Sequence, residues 1–185
     1  MATNKLTAMI LDFYASLPPT IYWDASFIIN FSHADNPFYG ECTEFLARLE
    51  SSDTQCFVSA LALDEVWFVL LQLFVSRDYA PRKFWKVYEQ DRAVILSYLD
   101  QIEKITAKVY AIPQLQVLGV TPRSPLLALE NMRQFSLLPR DAMHLAIMRQ
   151  HQITAIATLD ADFQSVEGIS IFTCNPNLLN ASAQA

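Results

Sequence analysis

Glycine is nearly missing from this chain: Gly40, Gly119 and Gly168 are the only three, and they lie dozens of positions apart. Phosphate-cradling loops need glycines a few residues apart, because the backbone must approach an anion that a Cβ would exclude. P-loop ATPases and Rossmann dehydrogenases are thereby excluded. Cysteine is equally scarce. Cys42, Cys56 and Cys174 are odd in number, scattered and never in a C-x-x-C pair, which speaks against a disulfide framework or a zinc knuckle and for a reducing compartment. The histidines, His33, His144 and His151, form no H-E-x-x-H pair, so zinc hydrolysis has little support. Charged types make up 17% of the chain, below the roughly 25% of an average soluble domain, while hydrophobic types reach 52%, which excludes disorder. The longest strongly apolar run, residues 66–75, is far short of the ~18 to 20 needed to cross a bilayer. The N-terminus lacks the continuous apolar stretch and small-residue cleavage site of a secretory signal. A cytoplasmic protein without membrane association is expected, folded as one domain over residues 1–185, a length sufficient to bury a core unaided.

What is present is an alternation of short apolar runs with amphipathic stretches. Residues 3–17 place Leu6, Met9, Ile10, Phe13 and Leu17 at helical spacing, which predicts an N-terminal docking helix ended by Pro18-Pro19. Residues 21–23, 55–59, 115–120, 153–158 and 169–172 read as five short buried strands. Between them helices are expected over 41–50, from Asp64 and Glu65 through the wholly apolar 66–75, over 125–135 and over 140–151. A helical insertion, one bent helix or two, is expected over about 77–111, where seven basic and five acidic side chains mix with apolar ones. The polar tail after Pro176 is expected to fray. Continuous apolar strands alternating with helices indicate an α/β fold with a parallel sheet covered on both faces, whose functional crevice lies beyond the carboxyl ends of its strands.

Four acids answer to that rule. Asp24 follows the first strand and Asp160 the fourth, while Glu65 and Asp141 open helices that start on the same edge. Carboxylates gathered this way repel one another unless a cation neutralises them, and oxygen ligands suit Mg²⁺ or Mn²⁺. A divalent ion so held activates water and stabilises charge at phosphorus, which is the chemistry of phosphodiester hydrolysis.

The segments Trp23-Asp24-Ala25-Ser26, Leu63-Asp64-Glu65-Val66, Leu138-Pro139-Arg140-Asp141-Ala142-Met143-His144-Leu145-Ala146 and Thr158-Leu159-Asp160-Ala161-Asp162-Phe163 together resemble the motifs of the PIN-domain nucleases, especially the VapC-type toxin ribonucleases. The resemblance spans residues 20–173. It implies a three-layer α/β/α sandwich with a central five-stranded parallel sheet of order 3-2-1-4-5. It also implies a Mg²⁺- or Mn²⁺-dependent endoribonuclease, the toxin of a type II toxin–antitoxin pair, that leaves a 5′-phosphate and a 3′-hydroxyl. Asp24, Glu65, Asp141 and Asp160 would form the metal site, Ser26 would support the first-motif turn, and Asp162 would be an outer neighbour or the ligand in place of Asp160. RNA as substrate, a small antitoxin protein as partner and a homodimer are implied as well. The N-terminal helix and the 77–111 insertion make the chain longer than compact toxins of that family.

Each acid also has a plain structural reading as a helix cap, a dipole complement or a turn residue. Asp64 reads as a solvated cap, His144 chiefly as a packed helix residue on the face of Asp141, and Arg140 as a solvated helix-terminus residue. Alternatives to the nuclease are a catalytically silent PIN-like module binding protein or RNA, and an aspartyl phosphatase of the haloacid dehalogenase type. The phosphatase would need a second Asp where Ser26 stands. The net charge of −6 is unevenly spread: residues 66–159 hold eleven bases against seven acids, and that middle part is where RNA contacts are expected.

Overall fold

Residues 8–182 are described by a computed structural model in which six strands form one all-parallel sheet. They are β1 (Met9–Asp12), β2 (Thr20–Trp23), β3 (Gln55–Ser59), β4 (Leu115–Leu118), β5 (Ala155–Ala157) and β6 (Ser170–Thr173), in the order β1-β6-β5-β2-β3-β4. From β2 onward this is the expected 3-2-1-4-5 order, with a sixth strand added on the β6 edge. β2 is central: Ile21 pairs with Cys56 of β3 on one side, and Trp23 with Ala157 of β5 on the other. The chain runs outward from β2 through β3 and β4, then returns to lay β5 on the opposite side. The switch point therefore falls between β2 and β5.

Side chains alternate faces along a strand. Ile21 and Trp23 belong to the core shared with α1 (Ala25–Ser32), α2 (Tyr39–Glu50), α3 (Ala60–Asp78), α4 (Phe84–Gln90) and α5 (Leu99–Tyr110). Tyr22 belongs to the core under α6 (Ser124–Phe135) and α7 (Pro139–Gln150). Ala155 and Ala157 divide from Ile156 in the same way, as Phe172 does from Ile171. Both faces are covered, which is why these strands read as unbroken apolar runs rather than as alternating ones.

Three stretches depart from the sequence reading. The helix expected over 3–17 is not formed by residues 9–12, which are β1; residues 3–7 lie outside the described residues. Met9 and Ile10 satisfy helical spacing with Leu6 and Phe13, but with Leu11 they are also a contiguous strand-length run, and the open edge of β6 offers it ladder partners from Ser170 to Thr173. The run stops at Asp12, whose Oδ1 accepts from Tyr14 N at 2.8 Å, and Phe13 turns into the core. The sheet accordingly has six strands, not five. The helical insertion divides at Asp91, which sits in extended backbone at the end of α4 and accepts from Ala93 N at 2.9 Å to start a 3₁₀ segment, Arg92–Tyr98, that leads into α5. Beyond β6 the tail is ordered as α8 (Pro176–Ser182), because Leu178 finds burial. Among the described residues no helix is long and apolar enough to cross a membrane.

Phe13 stacks on Phe45 with ring centroids 4.1 Å apart and meets Phe27 edge-on at 5.8 Å, so it fastens the end of β1 to α1 and α2. Phe13→Ala is expected to lower the unfolding free energy by about 3 to 5 kcal/mol in urea titration. Leu126→Ala, at an exposed position of α6, is expected to change it by no more than ~0.5 kcal/mol.

Candidate active site

The ladder between β2 and β5 continues one residue past β2, with Asp24 N donating to Ala157 O at 3.1 Å. Asp24 is thus placed by the sheet itself, at its carboxyl edge, where it also caps α1. Three donors converge on its Oδ2: Ser26 Oγ at 2.6 Å, Thr158 Oγ1 at 2.8 Å and Ser26 N at 3.4 Å. Oδ1 has no protein donor among the described residues and is the oxygen left for a cation. Ser26, the second residue of α1, does more than hold Asp24, since its Oγ also accepts from Leu159 N at 3.0 Å and so joins the β2 and β5 turns. Thr158 has the same role from the other side, accepting from Asp160 N at 3.0 Å. The sequence reading missed Thr158; its only signal was a hydroxyl at the end of an otherwise apolar strand.

Glu65 comes from α3, and α3 begins earlier than expected. Ser59, the last residue of β3, accepts from Ala62 N at 3.0 Å and caps the helix at Ala60, which moves Glu65 into the second turn. There its Oε1 lies 3.0 Å from His144 Nε2 and 3.3 Å from Arg140 Nε. Both neighbours come from α7, whose first turn holds Asp141 behind Pro139. His144, read in sequence as a packed helix residue, is fully buried and still belongs to the site. Arg140 pairs with Glu65 rather than standing free, and Asp64 is exposed on α3.

Asp141, Asp160 and Asp162 complete the acidic group. Burial, followed by the charges of Asp162, Asp160 and Asp24, pushes the Asp141 carboxyl from 3.8 up to about 6. Burial and then Asp162 also raise Asp160, although its Oδ1 accepts from Ala161 N at 2.7 Å. Asp162 opens the 3₁₀ segment Asp162–Ser165 and affects Asp141 more strongly than Asp160 does. Both remain candidates for the same ligand position.

Among the described residues, ligand atoms of Asp24, Glu65 and His144 lie within 4.8 Å of one another, close enough to share one cation. The donor set around them is dominated by carboxylate oxygens, which matches a hard divalent ion such as Mg²⁺ or Mn²⁺ better than a softer metal. Asp141, Asp160 and Asp162 lie outside that tight trio and act on it through charge. The open apolar groove of about 530 Å³ between α3 and α5, lined by Trp67, Leu71, Leu99 and Tyr110, contains none of these residues.

The family model of the PIN domain matches residues 21–169. No curated protein sequence matches the chain. Among solved structures it resembles VapC20 of Mycobacterium tuberculosis, described as a sarcin–ricin loop cleaving toxin, at 20% identity and a TM-score of 0.53 over 77% of this chain and 92% of that one. It also resembles VapBC2 of Rickettsia felis, bound there to a fragment of its promoter DNA, at 12% identity and a TM-score of 0.52 over 83% and 98%. At these identities the likeness establishes the fold.

The raised Asp141 carboxyl sets a pH dependence. Between 3.8 and about 6 the folded chain keeps a proton that the unfolded chain has released, so metal-free stability falls as pH rises through that window. Asp141→Asn removes the penalty. In urea titrations with chelator it is expected to exceed wild type at neutral pH by about 1 kcal/mol, allowing for solvent screening at a half-buried group, and to match it at acidic pH below the window.

Proposed function

The chain belongs to the PIN-domain family, and on that premise we propose that it is a divalent-metal-dependent endoribonuclease, the toxin of a type II toxin–antitoxin system. The observation that carries the reading is the meeting, at one sheet edge, of Asp24, Glu65, Asp141 and Asp160 from four distant segments, where burial and then the charges of three aspartates push the Asp141 carboxyl up to about 6. A charge excess of that kind, set against Arg140, suits a bound divalent cation and a phosphate-bearing substrate. PIN-domain nucleases are typically metal-dependent ribonucleases, which agrees with that chemistry.

In the proposed site Asp24 and Glu65 hold a Mg²⁺ or Mn²⁺ ion, and Asp141 with Asp160 or Asp162 completes its surroundings. When bound, such an ion supplies activation of water and neutralisation of charge at the phosphorus centre. Ser26 and Thr158 keep Asp24 Oδ2 occupied, so that Oδ1 is the oxygen that would be left to hold the ion. RNA is expected to run along the exposed basic side chains of the α4–α5 segment, among them Lys83, Arg92, Lys104 and Lys108.

Residues 1–185 are proposed to act as a single domain in the cytoplasm. A small antitoxin protein and a second copy of the chain are the proposed partners, the VapBC2 likeness supporting the first. The exposed Trp67 of α3, with the exposed Leu99 and Tyr110 of α5, marks the face proposed for the second.

Purified chain with Mn²⁺ is expected to cut single-stranded RNA. Asp24→Asn combined with Asp141→Asn should reduce cutting below detection, whereas Asp64→Asn, at an exposed neighbour of Glu65, should cut like wild type. Wild type that leaves RNA intact, or a double variant as active as wild type, contradicts the proposal.

A further inference from the structure

We propose that His144 is a positioning residue for Glu65: seated on the Tyr22 hydroxyl, which Ser59 holds in turn, its imidazole fixes which oxygen of the Glu65 carboxylate is turned to the site. The inference rests on the metal reading only in taking Glu65 as a cation ligand.

Four side chains form a continuous buried chain across four elements. Ser59 Oγ, at the end of β3, lies 2.5 Å from the Tyr22 hydroxyl of β2; that hydroxyl lies 2.6 Å from His144 Nδ1; and His144 Nε2, on α7, lies 3.0 Å from Glu65 Oε1 on α3. Tyr22, Ser59 and His144 are all fully buried. Buried polar groups must pair among themselves, so the protons have few places to go. An ionised Glu65 only accepts, which puts a hydrogen on His144 Nε2. The Tyr22 hydroxyl lies within reach of both Ser59 Oγ and His144 Nδ1 and has one hydrogen to give; given to Nδ1, it leaves Ser59 Oγ, which accepts from Ala62 N at 3.0 Å, to turn its own hydrogen to the Tyr22 oxygen. With that assignment every hydrogen in the chain has an acceptor: Nε2 donates to Glu65 and Nδ1 accepts from Tyr22. Burial pushes the Tyr22 phenol up and keeps it a donor.

The geometry separates this role from that of a ligand. His144 is near enough to Asp24 and Glu65 to join a shared ion, yet both its ring nitrogens are engaged by protein partners. Coordination through Nε2 would require it to release Glu65 and to turn a hydrogen toward Tyr22. Arg140 adds its contact to the same oxygen, Oε1, and Oε2 has no protein donor among the described residues. The arrangement therefore presents Oε2. It also couples parts of the site: Ser59 caps the helix that carries Glu65, and His144 follows Asp141 by three residues, about one turn, on α7.

The test uses full-length wild type and three variants, Tyr22→Phe, His144→Ala and His144→Gln. A glutamine amide nitrogen reaches the place of imidazole Nε2 and still donates to Glu65. In calorimetric titration with Mn²⁺, His144→Ala is expected to bind roughly tenfold to hundredfold more weakly than wild type, and His144→Gln to recover most of the loss. In ¹⁵N spectra of the metal-free protein the His144 ring should show a protonated Nε2 and an unprotonated Nδ1, with Nδ1 shifted in Tyr22→Phe. Binding by His144→Ala as tight as wild type, binding by His144→Gln as weak as His144→Ala, or an unprotonated Nε2 overturns the proposal. Wild type that binds no Mn²⁺ contradicts the metal reading instead, and the ring nitrogens then decide the positioning role by themselves.

Discussion

Burial at the carboxyl edge of β2 and β5, together with the mutual repulsion of Asp24, Asp141, Asp160 and Asp162, keeps a proton on Asp141 up to about pH 6. Much of the local structure answers to that repulsion. Three of the site's acids are held by their own devices: Asp24 by the hydroxyls of Ser26 and Thr158, Glu65 by His144 and Arg140, and Asp160 by the amide of Ala161. Asp141 has no such partner among the described residues, and its carboxyl, like that of Asp160, is raised. Metal-free, the group stores unfavourable charge, and a divalent cation relieves it.

The sheet topology brings the acids together. Parallel strands all end on one edge, and the return of the chain from β4 to β5 opens the crevice beside β2. Asp24 and the Thr158–Asp162 turn leave the two strands that flank it. α3 and α7 start on the same edge from opposite layers, and they deliver Glu65 and Asp141. The buried chain from Ser59 to Glu65 then fastens the two layers through the middle of the sheet.

Much of this was legible in the residues, for physical reasons. β2, β3, β5 and β6 are covered on both faces and so appear as short apolar runs, and Asp24, directly after β2, and Asp160, three residues past β5, mark the edge. β1 was not legible, since Met9 and Ile10 fit a helical stripe with Leu6 and Phe13 as well as a strand with Leu11, and pairing with β6 decides between them. The start of α3 was hidden because Ser59 ends a strand and caps a helix at once. Leu178 gave little sign that the polar tail docks as α8. In the site, carboxylates announce themselves by charge and position. Tyr22 and Thr158 read as ordinary strand residues, and His144 as helix packing, because their parts depend on contacts across elements that no local pattern records.

The central claim is that Asp24 and Glu65 turn free carboxylate oxygens onto one divalent cation. Anomalous scattering from crystals grown with Mn²⁺ tests it most directly. The account predicts a peak about 2 Å from an oxygen of each of Asp24 and Glu65, with Asp141 and Asp160 or Asp162 facing it. Manganese bound only elsewhere, or no peak between these carboxylates at saturating Mn²⁺, would contradict it.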